Sequence, residues 1–375
     1  MPQYDVVVVG LGAMGSAALH QLARRGFRAI GIEQFAPGHD RGSSHGETRI
    51  IRLGYFEHPS YVPLLRRTYE LWRELEAAGG RKLMRTTGIV EIGPSFGELV
   101  TGTLAASREH GLPHEVLDAA ETMRRFTPFR LPPDYVGVFQ PDGGFVAVEA
   151  AIEVMVALAH AAGAEVLSGV QARSLAPHGN GVRVDTTGGE IDARIAIVTA
   201  GPWLGELLPA LPVPLRVTRE VMAWFRPLDP EPFAPTAFPV FIMESRHGMH
   251  YGFPASPAGL VKIAKHHHRD ETVDPREPAR PMSANDELLI RAAIESHIPA
   301  ANGPLAAGKT CFYTMTPDHH FIIDWLPGAP QIIVASPCSG HGFKFAPVVG
   351  EILADLALEG GTGHDIRRFR IGRFR

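Results

Sequence analysis

The first 33 residues constrain this chain more than any other stretch. Val6 to Val9 is a run of β-branched residues closed by Gly10, which predicts a strand buried on both faces. Gly10-Leu11-Gly12-Ala13-Met14-Gly15 follows directly, a GxGxxG. A helix is predicted from about Ala13 to Arg25, with Met14, Ala18, Leu19 and Leu22 inward and Gly26 as its stop. Phe27 to Ile32 predicts a second strand, and it runs into Glu33. Each part has a physical job in holding a dinucleotide. Gly10 makes the tight turn, Gly12 admits a pyrophosphate to the backbone, and Gly15 lets helix and strand pack closely. The helix N-terminus favours the phosphates, and the carboxylate at Glu33 accepts from ribose hydroxyls. Strand, glycines, helix, strand and acid in this order point to dinucleotide binding, without separating FAD from NAD.

At 375 residues the chain is long enough for two domains at roughly 100–200 residues each. Its 36 Lys and Arg against 40 Asp and Glu leave a net charge of −4, which gives no field for nucleic acid or an anionic membrane. Two cysteines exclude a disulfide scaffold and a four-cysteine zinc site. The N-terminus lacks a basic leader, and no stretch reaches the roughly 18 apolar residues of a membrane helix, so a cytoplasmic location is expected.

Further along, helices are predicted over Tyr61 to Ala78, Val148 to Ala162, Ser283 to Ser296 and Pro347 to Leu358, the third opened by the capping-box spacing of Ser283 and Asp286. Thr86 to Ile92 predicts one strand, and short strands are expected around Val166, Val182, Ile191 and Ile195 to Thr199. Arg216 to Lys265 is strand-rich, and Gln331 to Ala335 is one more apolar strand. The fold class expected is mixed α/β: a Rossmann-type, discontinuous dinucleotide-binding domain (1–83, 147–217 and 325–375) with an inserted β-rich substrate domain (84–146 and 218–324).

Four stretches hold the unusual residues: Gly42-Ser43-Ser44-His45-Gly46-Glu47-Thr48-Arg49-Ile50-Ile51-Arg52; Tyr251 to Pro254 with Lys262 to His268; Cys311 to Asp324; and Cys338-Ser339-Gly340-His341-Gly342-Phe343-Lys344-Phe345. With GLGAMG they resemble, in order and over nearly the whole chain, the monomeric sarcosine oxidases and N-methyl-tryptophan oxidases among the FAD-dependent amino-acid oxidases. The resemblance implies FAD as cofactor. It implies an oxidase that demethylates an N-methyl amino acid with O2 to formaldehyde, the demethylated amino acid and hydrogen peroxide, as a monomer. Oxidation of cyclic imino acids such as pipecolate or proline, a flavin dehydrogenase with another acceptor, and a redox module without turnover remain alternatives.

Residue by residue, the resemblance places Arg52 and Lys344 on the substrate carboxylate, a paired donor and a point charge. Arg49 matches a basic residue beside the flavin ring, and Lys262 the lysine that promotes reaction with oxygen, where a fixed cation stabilises superoxide. His266 matches an active-site histidine; Tyr251 and Tyr313 match cavity tyrosines, core packing being the other reading of both. Ser44, His45, Thr48, Gly340, His341 and Gly342, with Lys344, fall in the cofactor-binding motifs. Cys311 matches the cysteine that carries the flavin as an 8α-thioether, with Cys338 as its unlinked neighbour. His266, His267 and His268 are not expected to share a metal, because consecutive side chains on a strand alternate faces; His319 and His320 fall under the same objection. Leu53-Gly54-Tyr55-Phe56-Glu57 departs from the family's usual His-Ala-Tyr-Gly-Glu, which bears on substrate choice.

Overall fold

A computed structural model describes residues 3–278, 280–336 and 339–374. Strand β1 (Tyr4–Val9) sits in the middle of an eight-stranded sheet. It pairs in parallel with β2 (Ala29–Glu33) on one side and with strand Gly189–Val198 on the other, Val7 lying between Ile30 and Ala196. Parallel neighbours on both sides explain the unbroken valine run, since both faces of β1 are covered. Helix α1 (Ala13–Arg24) covers one face together with helices Val148–Ala161 and Ala346–Glu359. Gly350 of the last helix lies directly on the Ala17 backbone, an approach a side chain would block.

A second eight-stranded sheet runs in the order 305–315, 216–225, 261–265, 248–252, 240–245, 89–94, 135–140 and 115–118. Its core is aromatic, with Phe129, Phe225, Phe233, Phe238 and Phe241 buried under helix Ala284–His297. That helix opens with the predicted capping box, Ser283 and Asp286 each bonding the other's backbone. A small third sheet joins β3 (Thr48–Ile51) and β4 (Met84–Thr86) to strand Gly144–Ala147. Mixed α/β architecture is therefore what the chain adopts.

Three local expectations need correction. The strand predicted over Thr86 to Ile92 is two: β4 ends at Thr86, Gly88 turns the chain at φ +73°, and β5 (Ile89–Pro94) enters the second sheet. The strands expected at Ile191 and at Ile195 to Thr199 are one, Gly189–Val198; its exposed Arg194 imitates a break. Its first half pairs antiparallel with strand Gly181–Thr186 and its second half parallel with β1. The three histidines do not lie on a strand, because Val261–Lys265 ends before them and His267 takes φ +53°.

Candidate active site

The glycine motif folds as its parts require. Gly10 has φ +90°, and its carbonyl oxygen accepts from Thr199 Oγ1 at 2.7 Å. A Cβ on Gly15 would overlap that same carbonyl, so only glycine lets α1 sit this close to β1. Helix α1 starts without a side-chain cap at Gly12, which leaves its first N–H groups for an anion. Glu33 is buried at the end of β2, its two oxygens accepting from Leu11 N at 2.9 Å and Phe35 N at 3.0 Å. Burial alone would raise its carboxyl, but the His39 ring and these N–H groups hold it below the usual range.

A cleft of about 400 Å³ runs from this motif, past Ser44 and Arg49, to Arg52, Tyr251, His266, Tyr313 and the turn that holds Gly340, His341, Gly342 and Lys344. Most of the expected site residues line it. Gly15, His45, Thr48, Lys262 and Cys311 are not among its lining residues. His45 is buried with neither ring nitrogen hydrogen-bonded among the described residues, and burial lowers it to about 4. Such orphaned polar atoms fit a site that receives a polar cofactor.

At the far end Arg52, 2 % exposed, holds Glu57 through Nη2 at 2.9 and 2.8 Å and donates from Nη1 to Gly54 O at 2.7 Å. Its guanidinium lies 4.4 Å over Tyr55 and 4.8 Å over Phe56. Lys344 Nζ donates to His341 O at 2.7 Å and lies 3.5 Å from Tyr55 Oη. Burial, then the Arg52 charge, brings Lys344 down to about 7, with Glu57 and Glu91 pulling the other way. Tyr55 Oη meets His341 Nδ1 at 2.6 Å while His341 Nε2 meets His319 O at 2.9 Å. A carbonyl only accepts, so Nε2 carries the hydrogen and Nδ1 takes the one from Tyr55.

A second group surrounds Arg49, whose Nη2 and Nη1 donate to Ser43 O at 2.9 Å and Thr48 O at 3.0 Å. Lys262, buried on strand Val261–Lys265, donates to Gly46 O at 2.9 Å and Thr48 O at 2.7 Å, with Nζ 4.1 Å over the Phe253 ring. Burial and the Arg49 charge hold Lys262 well below an ordinary lysine. Cys311 is buried on strand Leu305–Met315 opposite Glu220, its thiol pushed up to about 11 by burial against the pull of Arg49 and Lys262. His266 Nδ1 lies 3.2 Å from Tyr313 Oη, and burial keeps the ring neutral. Cys338 lies outside the described residues.

His267 packs at a tilt between His266 and His319, at centroid distances of 4.0 and 5.4 Å, while His268 turns away to Asp286 at 3.1 Å. His320 pairs with Tyr61 Oη at 3.0 Å. No group of three metal-ligating side chains occurs among the described residues. Sequence reasoning passed over Glu91 and Gln140, which stand behind Arg52. The available signal was a lone acid inside Ile89-Val90-Glu91-Ile92.

Comparison with known proteins shows the family to which this fold belongs. Residues 5–356 match the family described as DAO, FAD dependent oxidoreductase. The monomeric sarcosine oxidase of Streptomyces avermitilis is 40 % identical over 373 residues, covering 98 % of this chain and 97 % of that protein. The N-methyl-L-tryptophan oxidase of Salmonella dublin is 36 % identical over 375 residues, covering 99 % of each. Among solved structures, the open form of NikD, an amino acid oxidase essential for nikkomycin biosynthesis, superposes with a TM-score of 0.86 at 28 % identity, covering 98 % of this chain and 97 % of that one.

Proposed function

Because the chain belongs to the FAD-dependent oxidoreductases, in the group of the monomeric sarcosine oxidases and N-methyl-L-tryptophan oxidases, we propose that it oxidatively demethylates an N-methyl amino acid with oxygen. The products are formaldehyde, the demethylated amino acid and hydrogen peroxide. The observation that carries this reading is the buried pair Arg52 and Lys344, placed at the end of the cleft remote from the glycine motif. Two cations at that depth suit a small carboxylate.

Gly10, Gly12, Glu33, Ser44, His45, Thr48 and the Gly340–Lys344 turn hold FAD, with Gly15 setting the helix against the strand. When bound, FAD supplies the two-electron oxidant. Arg52 and Lys344 anchor the substrate carboxylate and so fix where its N-methyl group lies. Arg49, whose guanidinium donates to the Ser43 and Thr48 carbonyls, and the burial of the cleft disfavour an ammonium there, which leaves the substrate nitrogen with its lone pair. Tyr251, Tyr313 and the neutral His266 shape the cavity around that nitrogen and exclude water from it. Lys262 provides the cationic site for oxygen, and Cys311, flanked by Arg49 and Lys262, is the point of covalent flavin attachment.

The cofactor unit comprises 1–83, 147–217 and 325–375, and the substrate unit 84–146 and 218–324. The division of strands between the two large sheets supports it, except that strand Ile322–Leu326 of the first sheet straddles the boundary at 325. We place the enzyme in the cytoplasm as a monomer; no described helix is long and apolar enough to cross a membrane. The test is peroxide release by the purified yellow protein in air with sarcosine, N-methyl-tryptophan, N-methyl-alanine, proline and pipecolate, against glycine. Peroxide from an N-methyl member and none from glycine is expected. Silence across the panel with flavin bound overturns the oxidase reading, and a response to proline or pipecolate alone moves the substrate to cyclic imino acids.

A further inference from the structure

Behind the clamp, Arg52 and Lys344 face two carboxylates, Glu57 and Glu91, so the cluster is neutral when all four are ionised. Glu91 is the member with no role so far. It is fully buried on β5, between Ile242 and Val138 on the neighbouring strands. Its Oε2 accepts from Gln140 Nε2 at 2.8 Å, and Gln140 Oε1 accepts from Gly54 N at 2.6 Å. Its Oε1 lies 3.3 Å from Arg52 Nη1 and has no hydrogen-bond partner among the described residues. From helix Glu98–Glu109 the Thr103 hydroxyl faces it and pulls its carboxyl down, though outside hydrogen-bond geometry. The charged or titratable groups around Glu91 are thus Arg52, Glu57, Lys344 and the Tyr55 phenol.

The guanidinium has two N–H groups to spare. Glu57 occupies Nη2 with both oxygens and Gly54 O takes one N–H of Nη1; the other points to no bonded acceptor, and Arg52 Nε is buried without a partner. A substrate carboxylate that docks on Arg52 and Lys344 brings a third negative charge to two cations. In a buried cluster that excess is costly, and it falls hardest on the carboxylate with an unsatisfied oxygen and no exposure.

Building on the proposed secondary-amino-acid substrate, we propose that Glu91 is the charge-balancing residue of the clamp, taking up one proton on Oε1 as a substrate carboxylate docks on Arg52 and Lys344. The cluster then sums to zero again: two cations, Glu57 and the substrate. Oε2 keeps its bond from Gln140, and the protonated Oε1 gains a donor to turn toward the Thr103 hydroxyl. For an amino-acid zwitterion the proton balance closes without the solvent, because the ammonium sheds one proton and Glu91 gains one. Glu91 is a positioning residue in this account; it holds Arg52 from the side that substrate does not reach. Burial, against the pull of Arg52, already raises Glu91 to about 7, so the uptake is available near neutral pH.

The test uses the holoenzyme and propionate, a carboxylate without an amine. Calorimetric titration at pH 8 in buffers of different ionisation heat counts the protons taken up per propionate bound. Wild type is expected to take up about one proton more than Glu91→Gln. Equal uptake in the two proteins assigns the proton to Lys344 and overturns the proposal. No uptake in wild type overturns it as well. Infrared difference spectra of wild type with isotope-labelled propionate need no variant: the carbonyl stretch of a newly protonated carboxylic acid is expected, and its absence sinks the idea. If propionate does not bind at all, the carboxylate clamp itself falls, and with it both this inference and the function it rests on.

Discussion

At the glycine end of the cleft the parts come from one stretch of chain, Val6 to Phe35, with Thr199 joining from the next strand; at the clamp end Arg52 draws on Glu57, Glu91, Gln140 and Lys344. The first end works with backbone donors and one carboxylate satisfied by two N–H groups. The second works with buried charges that only each other can balance. A site made of backbone geometry tolerates no added atom, whereas a site made of buried charge tolerates no subtracted one. The two ends should therefore fail in opposite ways.

Gly15→Ala is expected to have the largest effect. The new Cβ would overlap Gly10 O and crowd Thr199 Oγ1, forcing α1 off β1 at the proposed FAD site. Overpacking of this kind costs about 1–3 kcal/mol, and the cofactor's own stabilisation is lost on top of it. The expected product is colourless or insoluble protein, read as flavin absorbance per protein. Full flavin content in Gly15→Ala would break the comparison. Arg52→Met should do the reverse. It strands Glu57 and Glu91 without their cation, for about 3–5 kcal/mol of unfolding free energy, yet it leaves the glycine end intact. Urea unfolding should show that loss in a protein that is still yellow, with kcat/KM down about ten- to a hundredfold. A colourless Arg52→Met would mean that the two ends are not independent.

The same contrast explains what could be read along the chain. The β1–α1–β2 unit, the Ser283 capping box and the closing helix follow from local rules, and the structure has them within one or two residues. Arg52 and Lys344 were legible through their resemblance to a family, and the structure brings them together although they are far apart in sequence. Glu91 was not. An acid between Val90 and Ile92 reads as the solvent face of a half-exposed strand, and only the covering helix Glu98–Glu109 and the approach of Arg52 make it a buried charge. The histidine triplet misled for a related reason. Where a strand ends depends on its neighbours, and His267 turns with φ +53° one residue after its alternation would have mattered.

A smaller effect asks whether burial of charge, rather than distance along the chain, makes the clamp end fragile. Glu220 is a second buried carboxylate assembled from distant parts, lying opposite Cys311, and it is fully hydrogen-bonded: Oε2 accepts from His268 N at 2.8 Å and Oε1 from Thr218 Oγ1 at 2.8 Å. Burial nevertheless raises it to about 7. With a folded value above the unfolded 4.5, the native state binds more protons between these two pH values, so stability falls as pH rises from 4.5 through about 7 and the penalty is constant above. Glu220→Gln keeps both contacts, because the amide oxygen accepts from His268 N and the Thr218 hydroxyl turns to accept from the amide. The variant should match wild type at pH 4.5 and exceed it at pH 8 by on the order of 1–3 kcal/mol, measured as the urea midpoint at each pH. A stability gain of equal size at both pH values would trace the effect to packing. No gain at pH 8 would mean that hydrogen bonds alone make a buried carboxylate harmless, and that Arg52 and Glu91 are fragile for want of bonds rather than for their charge.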